Sequence, residues 1–192
     1  MTRVDDQHAL VVAGRLSRRH ARRMPPKLRS LLGASAGLTC DIAPEVWSTI
    51  GECARARPDA EVAGLILGEV YQDQAAYLVR ATGVLPARHT SAGPCSVTFT
   101  EDTWSDLIAQ ALRCRPHRTV GWYHSHPGLG VFLSEQDRFI HKSFFGDEPW
   151  YIAVVFDPAS GERGVFVWAG EDIVSYTCSS ANLPTLERGH PR

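Results

Sequence analysis

Residues 121–137 read Gly-Trp-Tyr-His-Ser-His-Pro-Gly-Leu-Gly-Val-Phe-Leu-Ser-Glu-Gln-Asp, and no other stretch so narrows what the chain can fold into. Thr119–His126 is rich in β-branched and aromatic residues and reads as a strand. Side chains two apart on a strand share a face, so His124 and His126 project together. A loop follows, and Ser134 to Phe145 reads as a helix. A strand end, a loop and a helix start must therefore meet in space. Two imidazoles on one face, with the Asp137 carboxylate in the first helical turn, are the kind of three-group set that holds zinc and leaves a fourth position for water. The pattern points to one Zn2+ per chain and to hydrolysis by a metal-activated water.

Each member of the set has a plainer alternative. A single core histidine is usually structural, but two on one strand face ahead of a carboxylate ask for a joint explanation, and each is expected to bind through one ring nitrogen while an acceptor holds the other. Ser134-x-x-Asp137 is close to a capping box, with both residues serving the helix start. The two readings are compatible: the helix start aims Asp137 at zinc, and the Ser134 hydroxyl donates to a developing oxyanion. A general base must still carry the water's proton to a leaving amine. Glu61 is the candidate, because it opens the apolar run Glu61–Gly68, where a charge is costly without a function. An exposed glutamate at a strand end is the alternative.

The 192 residues suit one well-buried domain with tails. Apolar spacing over Val46, Trp47, Ile50 and Cys53 predicts a helix that starts near Asp41–Pro44 and ends before Pro58. Residues 61–68 read as a buried strand and Ala76–Leu85 as its partner. Pro86 to Pro94 is a polar loop, followed by a short strand at Ser96–Phe99 and a helix capped by Thr100. Trp150–Phe156 and Gly164–Trp168 form a hairpin, with an edge strand at 173–177. The expected fold class is α/β, a mixed sheet flanked by irregularly alternating helices.

A near-neutral total conceals uneven charge. Residues 1–39 hold eight basic residues against two acidic ones, and the rest is acidic. Residues 1–38 read as a basic, flexible arm, 39–178 as the domain and 179–192 as a loose tail. Such an arm can dock on nucleic acid or an acidic partner, but it has no aromatic residue for base stacking, so a solvated tail is favoured and nucleic acid is not an expected partner. No apolar run approaches the roughly 18–20 residues of a membrane span, and the first residues do not fit a signal peptide. Five scattered cysteines without a C-x-x-C pair suit a reducing, cytoplasmic setting. There is no H-E-x-x-H, and Pro94-Cys95 lacks the second cysteine of a deaminase site.

The string His-Ser-His-Pro-Gly-x-Gly-x-x-Leu-Ser-x-x-Asp after Gly-Trp-Tyr resembles the JAMM, or MPN-plus, metalloprotease family. Glu61–Gly68 and Pro149–Pro158 resemble its flanking strands, so the likeness covers about residues 40–170. The resemblance implies a curved mixed sheet wrapped by helices, with His124, His126 and Asp137 on zinc, Glu61 as general base and Ser134 at the oxyanion. It implies cleavage after the C-terminal glycine of ubiquitin or a ubiquitin-like protein, whose conjugates and conjugation-pathway proteins are the implied partners. The related alternative is a zinc hydrolase that processes a sulfur-carrier precursor or its adduct, and a metal-free scaffold is a third. The Pro86–Pro94 loop resembles an insertion that pairs with an extended modifier tail, which places substrate contacts at Thr90, Ser91, Val97 and Phe99. Asp137 to Pro149 leaves little room for a second insertion. A compact, arginine-rich chain also suits a bacterial member acting beside ubiquitin-like conjugation genes, including antiviral operons.

Overall fold

Three adjacent strands at the centre of the sheet form the middle of the buried core. They are β3 (Ala63–Asp73), β7 (Arg118–Ser125) and β8 (Ile152–Phe156), and every residue of β8 is buried. The structure is a computed structural model and describes residues 21–29, 37–88, 90–93, 96–114 and 117–176. The remaining strands are β1 (Arg22–Arg23), β2 (Leu38–Ile42), β4 (Ala76–Pro86), β5 (Thr90–Gly93), β6 (Ser96–Phe99), β9 (Arg163–Ala169) and β10 (Asp172–Tyr176). Among the described residues one eight-stranded sheet runs in the order β10-β9-β8-β7-β3-β4-β2, with β1 added beside β3. The β7–β8, β2–β4 and β1–β3 pairs are parallel and the rest antiparallel, so the sheet is mixed.

The two ends of that order approach each other. The Cys40 N–H of β2 donates to the Tyr176 hydroxyl of β10 at 3.3 Å, and the Arg163 guanidinium of β9 lies over the Trp47 ring at 4.9 Å. A sheet twisted in one sense and filled on its concave side curls in this way. Helix α2 (Pro44–Arg55) buries Val46, Ile50 and Ala54, α3 (Glu101–Arg113) buries Trp104 and Leu107, and α4 (Glu135–Phe144) buries Ile140. Full burial of each such valine, leucine or isoleucine side chain contributes about 1.5–3 kcal/mol. The expected class, α/β with a curved mixed sheet flanked by helices in a single domain, is the one observed. No helix among the described residues is long and apolar enough to cross a membrane.

Four local expectations need correction. Asp41 and Ile42 belong to β2, paired with Arg80 and Ala81, and the helix begins only at Pro44. Strand β3 does not stop at Gly68: it passes a register shift at Leu67/Gly68 and stays paired with β4 to Asp73. Its far half sets only Val70 and Tyr71 among the polar Glu69, Gln72 and Asp73, and the ladder to β4 sustains it where composition alone does not. The expected loop 86–94 is shorter, because Pro86 still pairs with Gly64 and Thr90–Gly93 forms a hairpin with Ser96–Phe99. Finally, part of the supposed arm is docked. Arg22 and Arg23 pair with Tyr71 and Gln72, a one-turn helix α1 (Pro26–Arg29) follows, and Met24 and Leu28 are buried against Tyr71 and Leu78. Arg22 also pairs with Glu69. Two buried apolar side chains, a short parallel strand pair and this ion pair seat the segment. Residues 1–20, 30–36 and 177–192, with the rest of the expected arm and tail, lie outside the described residues.

Candidate active site

Strand β7 runs between β3 and β8, with His124 paired to Ala63 on one side and Val155 on the other. His126 lies just past the strand, and its N–H donates to the Phe156 carbonyl at 3.0 Å. Ser125, between the histidines, stitches the start of β3 in place: the Val62 N–H donates to Ser125 Oγ at 3.0 Å, and the Ser125 N–H donates to the Val62 carbonyl at 2.9 Å. In an antiparallel pair with Ala63 opposite His124, Glu61 falls opposite His126 and on the same face. Glu61 is buried, with Oε1 3.9 Å from His126 Nε2. The exposed strand-end alternative does not describe it.

The fourth element is the start of α4. Ser134 is its N-cap in an extended conformation, and both bonds of a capping box are present. Ser134 Oγ accepts from the Asp137 N–H at 3.2 Å, and Asp137 Oδ2 accepts from the Ser134 N–H at 2.8 Å. The Ser134 hydroxyl also donates to that oxygen, at 2.6 Å. The box is therefore real, and it also aims the carboxylate: Asp137 Oδ1 lies 3.3 Å from His124 Nε2. The single hydroxyl proton of Ser134 is committed to Asp137 in this geometry and must turn away to serve an oxyanion.

His124, His126 and Asp137 each offer one ligand atom, and these atoms all lie within 4.8 Å of one another. The two Nε2 atoms are 3.0 Å apart, and the carboxylate oxygens stand 3.3 and 3.6 Å from them. A tetrahedral zinc with bonds of about 2.0–2.1 Å sets its ligand atoms roughly 3.4 Å apart. The separations and the N/O chemistry of the donors fit such an ion.

Charge at this cluster is strongly conditioned. Burial disfavours the charged form of His124 and lowers its pKa, against the pull of Asp137. Burial also opposes charge on His126, but its contact with Asp137 and the attraction of Glu61 outweigh it and raise the pKa. Asp137 is buried too, yet its hydrogen bonds to His124, His126 and Ser134 hold it far below the usual carboxylate range. Burial pushes Glu61 up to about 7, against the attraction of His126 and with Asp137 adding to the rise. A carboxyl near neutrality is suited to taking up and returning a proton.

Each histidine was expected to have an acceptor on its second nitrogen. His126 has one, with Nδ1 3.2 Å from the Gly130 carbonyl. The Nδ1 of His124 is buried with no hydrogen-bond partner. Its ring is held by stacking instead, parallel to the Trp122 indole with centroids 4.7 Å apart. The Trp122 Nε1–H in turn donates to His141 Nδ1 at 3.1 Å, and His141 is clasped between Phe145 and Trp168. Sequence reasoning passed over Trp122 and His141. The available signal was spacing: His141 lies one helical turn after Asp137 and so on the same face of α4.

The substrate candidates Thr90, Ser91, Val97 and Phe99 lie on the β5–β6 hairpin, where Thr90 pairs with Phe99 and Ala92 with Val97. Their side chains lie outside the described residues.

Residues 35–149 match the family model described as JAB1/Mov34/MPN/PAD-1 ubiquitin protease. The 26S proteasome regulatory subunit rpn11 of Schizosaccharomyces pombe is 37% identical over 109 residues, covering 56% of this chain and 34% of that protein. The ubiquitin carboxyl-terminal hydrolase RPN11 of Saccharomyces cerevisiae is 36% identical over 115 residues, 59% of this chain and 36% of that protein. The chain thus spans about a third of the length of the curated relatives it matches. The solution structure of a protein from Desulfitobacterium hafniense shares the fold, with a TM-score of 0.55 at 17% identity over 73% of this chain and 91% of that one. With its family model matched over more than half its length, the chain belongs to the JAB1/Mov34/MPN/PAD-1 ubiquitin protease family.

Proposed function

We propose that the chain is a zinc-dependent isopeptidase or peptidase that cuts after the C-terminal glycine of ubiquitin or a ubiquitin-like modifier. The observation that carries the reading is the convergence of His124, His126 and Asp137 at ligand spacing with a buried carboxyl, Glu61, beside them. Zinc, when bound, supplies a Lewis acid that acidifies water and polarises a carbonyl. His124 and His126 present their Nε2 atoms, and Asp137 presents Oδ1, the oxygen that the capping box leaves free. Glu61 accepts the proton of the attacking water and delivers it to the leaving amine. Ser134 donates its hydroxyl to the oxyanion after turning from Asp137. The relatives' names add support, since they describe a ubiquitin carboxyl-terminal hydrolase and proteasome subunits. The proposed partners are accordingly ubiquitin-like proteins and their conjugates.

The test is a panel of ubiquitin-like proteins, offered as C-terminal fusions and lysine conjugates to zinc-loaded chain beside Glu61→Gln. Cleavage after the terminal glycine, lost in the variant and with chelator, is expected. One zinc bound per chain with no cleavage of any member would count against the isopeptidase assignment and favour processing of a sulfur-carrier adduct.

A further inference from the structure

We propose that Asp157 is a positioning residue for His126, tying down the loop whose Gly130 carbonyl selects the tautomer with the Nε2 lone pair facing the site. The inference rests on the metal reading above in taking Nε2 as the ligand atom.

Asp157 follows β8 and is only 3% exposed. Its Oδ1 accepts the N–H groups of Gly128 at 3.0 Å and Ala159 at 2.8 Å, and its Oδ2 accepts the N–H of Gly130 at 3.1 Å. No cation pairs with it among the described residues. A buried carboxylate satisfied only by backbone amides is costly as packing material, since an apolar side chain fills the same space without desolvating a charge. Those three bonds explain why a carboxylate stands there, and two of them end on the loop after His126.

Glycine permits the shape of this loop, and the carboxylate holds it. Gly128 and Gly130 have φ of 71° and 86°, in the left-handed region that other residues rarely adopt. In this conformation both amides reach one carboxylate, while the carbonyl of Gly130 meets the ring of His126. A carbonyl only accepts, so Nδ1 of His126 carries the hydrogen and the neutral ring keeps its lone pair on Nε2. Nε2 is the atom 3.0 Å from His124 Nε2. Consecutive residues at the end of β8 thus fix His126 twice. Phe156 holds its backbone N–H, and Asp157 holds its ring through the loop. The turn that carries Asp157 is closed by the Gly161 N–H on its carbonyl at 2.8 Å and by its own N–H on the Glu162 carbonyl at 2.9 Å.

The experiment is 15N NMR of the histidine rings in the metal-free full chain, with zinc titration of the same samples. In its neutral form, reached by raising the pH of the sample, His126 of the unaltered chain is expected to carry its proton on Nδ1. Asp157→Asn keeps the shape but replaces an acceptor with a donor. It is expected to mix in the Nε2–H tautomer and to weaken zinc binding about 10- to 100-fold, the usual range for a lost outer partner of a ligand. Val46→Ala, a core truncation in α2, should lower Tm and leave the tautomer alone, which separates positioning from general destabilisation. A folded Asp157→Asn chain with the original tautomer and unchanged zinc affinity would overturn the proposal. Should that variant not fold, the unaltered chain still decides. Scalar coupling across the hydrogen bonds from the Gly128 and Gly130 amides to the Asp157 carboxyl carbon supports the clasp, and its absence overturns it. If the unaltered chain binds no zinc but the tautomer moves in Asp157→Asn, the metal reading fails while the role of Asp157 stands.

Discussion

His124 and His126 are two residues apart and are held by different physics. His124 is inside the sheet, fully buried, flanked on both sides by paired strands and stacked on Trp122, with no acceptor on its second nitrogen. His126 is at the strand's end, where a backbone carbonyl and a carboxylate-bound loop replace the sheet. One half of the site is thus set by packing and the other by hydrogen bonds. Packing is non-directional and spread over many contacts, so single losses are partly absorbed. Hydrogen bonds are few and directional, so a single loss at the loop half displaces its group.

The comparison can be broken at several points. The largest effect is expected at Asp137, which belongs to both the proposed ligand set and the capping box. Asp137→Ala should remove bound zinc and activity together, and loss of the cap should cost about 1 kcal/mol in the metal-free chain. Full zinc stoichiometry in that variant, read by metal analysis, would rule Asp137 out as a ligand.

Glu61→Gln is the converse, removing the proposed base while leaving the proposed ligands intact. Zinc should stay bound while kcat falls by about 10²–10⁴. Near-normal turnover would reassign the base.

Ser134→Ala separates the two duties of that residue. A fall in kcat of about 10²–10³ is expected if the hydroxyl serves the oxyanion. A drop confined to Tm would leave it as a cap alone.

His141→Gln probes the packed half. Burial holds His141 down at about 3, so the folded chain keeps it neutral while the unfolded chain protonates it near its ordinary pKa of about 6.5. Protons then favour the unfolded state, and stability is lost as pH falls from about 6.5 towards 3. The variant should flatten that acid limb in urea titrations while an amide oxygen still accepts from Trp122. An unchanged limb would remove His141 as its source. The smallest effect on the site is expected far from it: Leu28→Ala should cost about 2–5 kcal/mol and leave zinc affinity alone.

Much of this molecule is written locally. Strand β7 and helix α4 follow from side-chain periodicity, the Ser134–Asp137 box from two residues at fixed spacing, and the shared face of His124 and His126 from the pleat. These are short-range properties, determined by backbone geometry wherever the chain goes. The fate of Arg22–Leu28 was hidden by composition, because the two side chains that seat it, Met24 and Leu28, gain from burial only once Tyr71 and Leu78 lie beneath them. The supports of the site were hidden for the same reason. Trp122 reads as an apolar strand residue until α4 brings His141 to its indole nitrogen, and Asp157 reads as a turn residue until the loop after His126 folds onto it. Glu61 could be nominated from its cost at a strand start, but its place beside His126 came from antiparallel pairing across more than sixty residues of chain. The sequence by itself determined which chemical groups are available and on which local face each stands. Which groups meet, and which nitrogen of His126 faces the site, was decided only by the tertiary structure, because hydrogen bonds and burial act between segments whose separation along the chain carries no local signal.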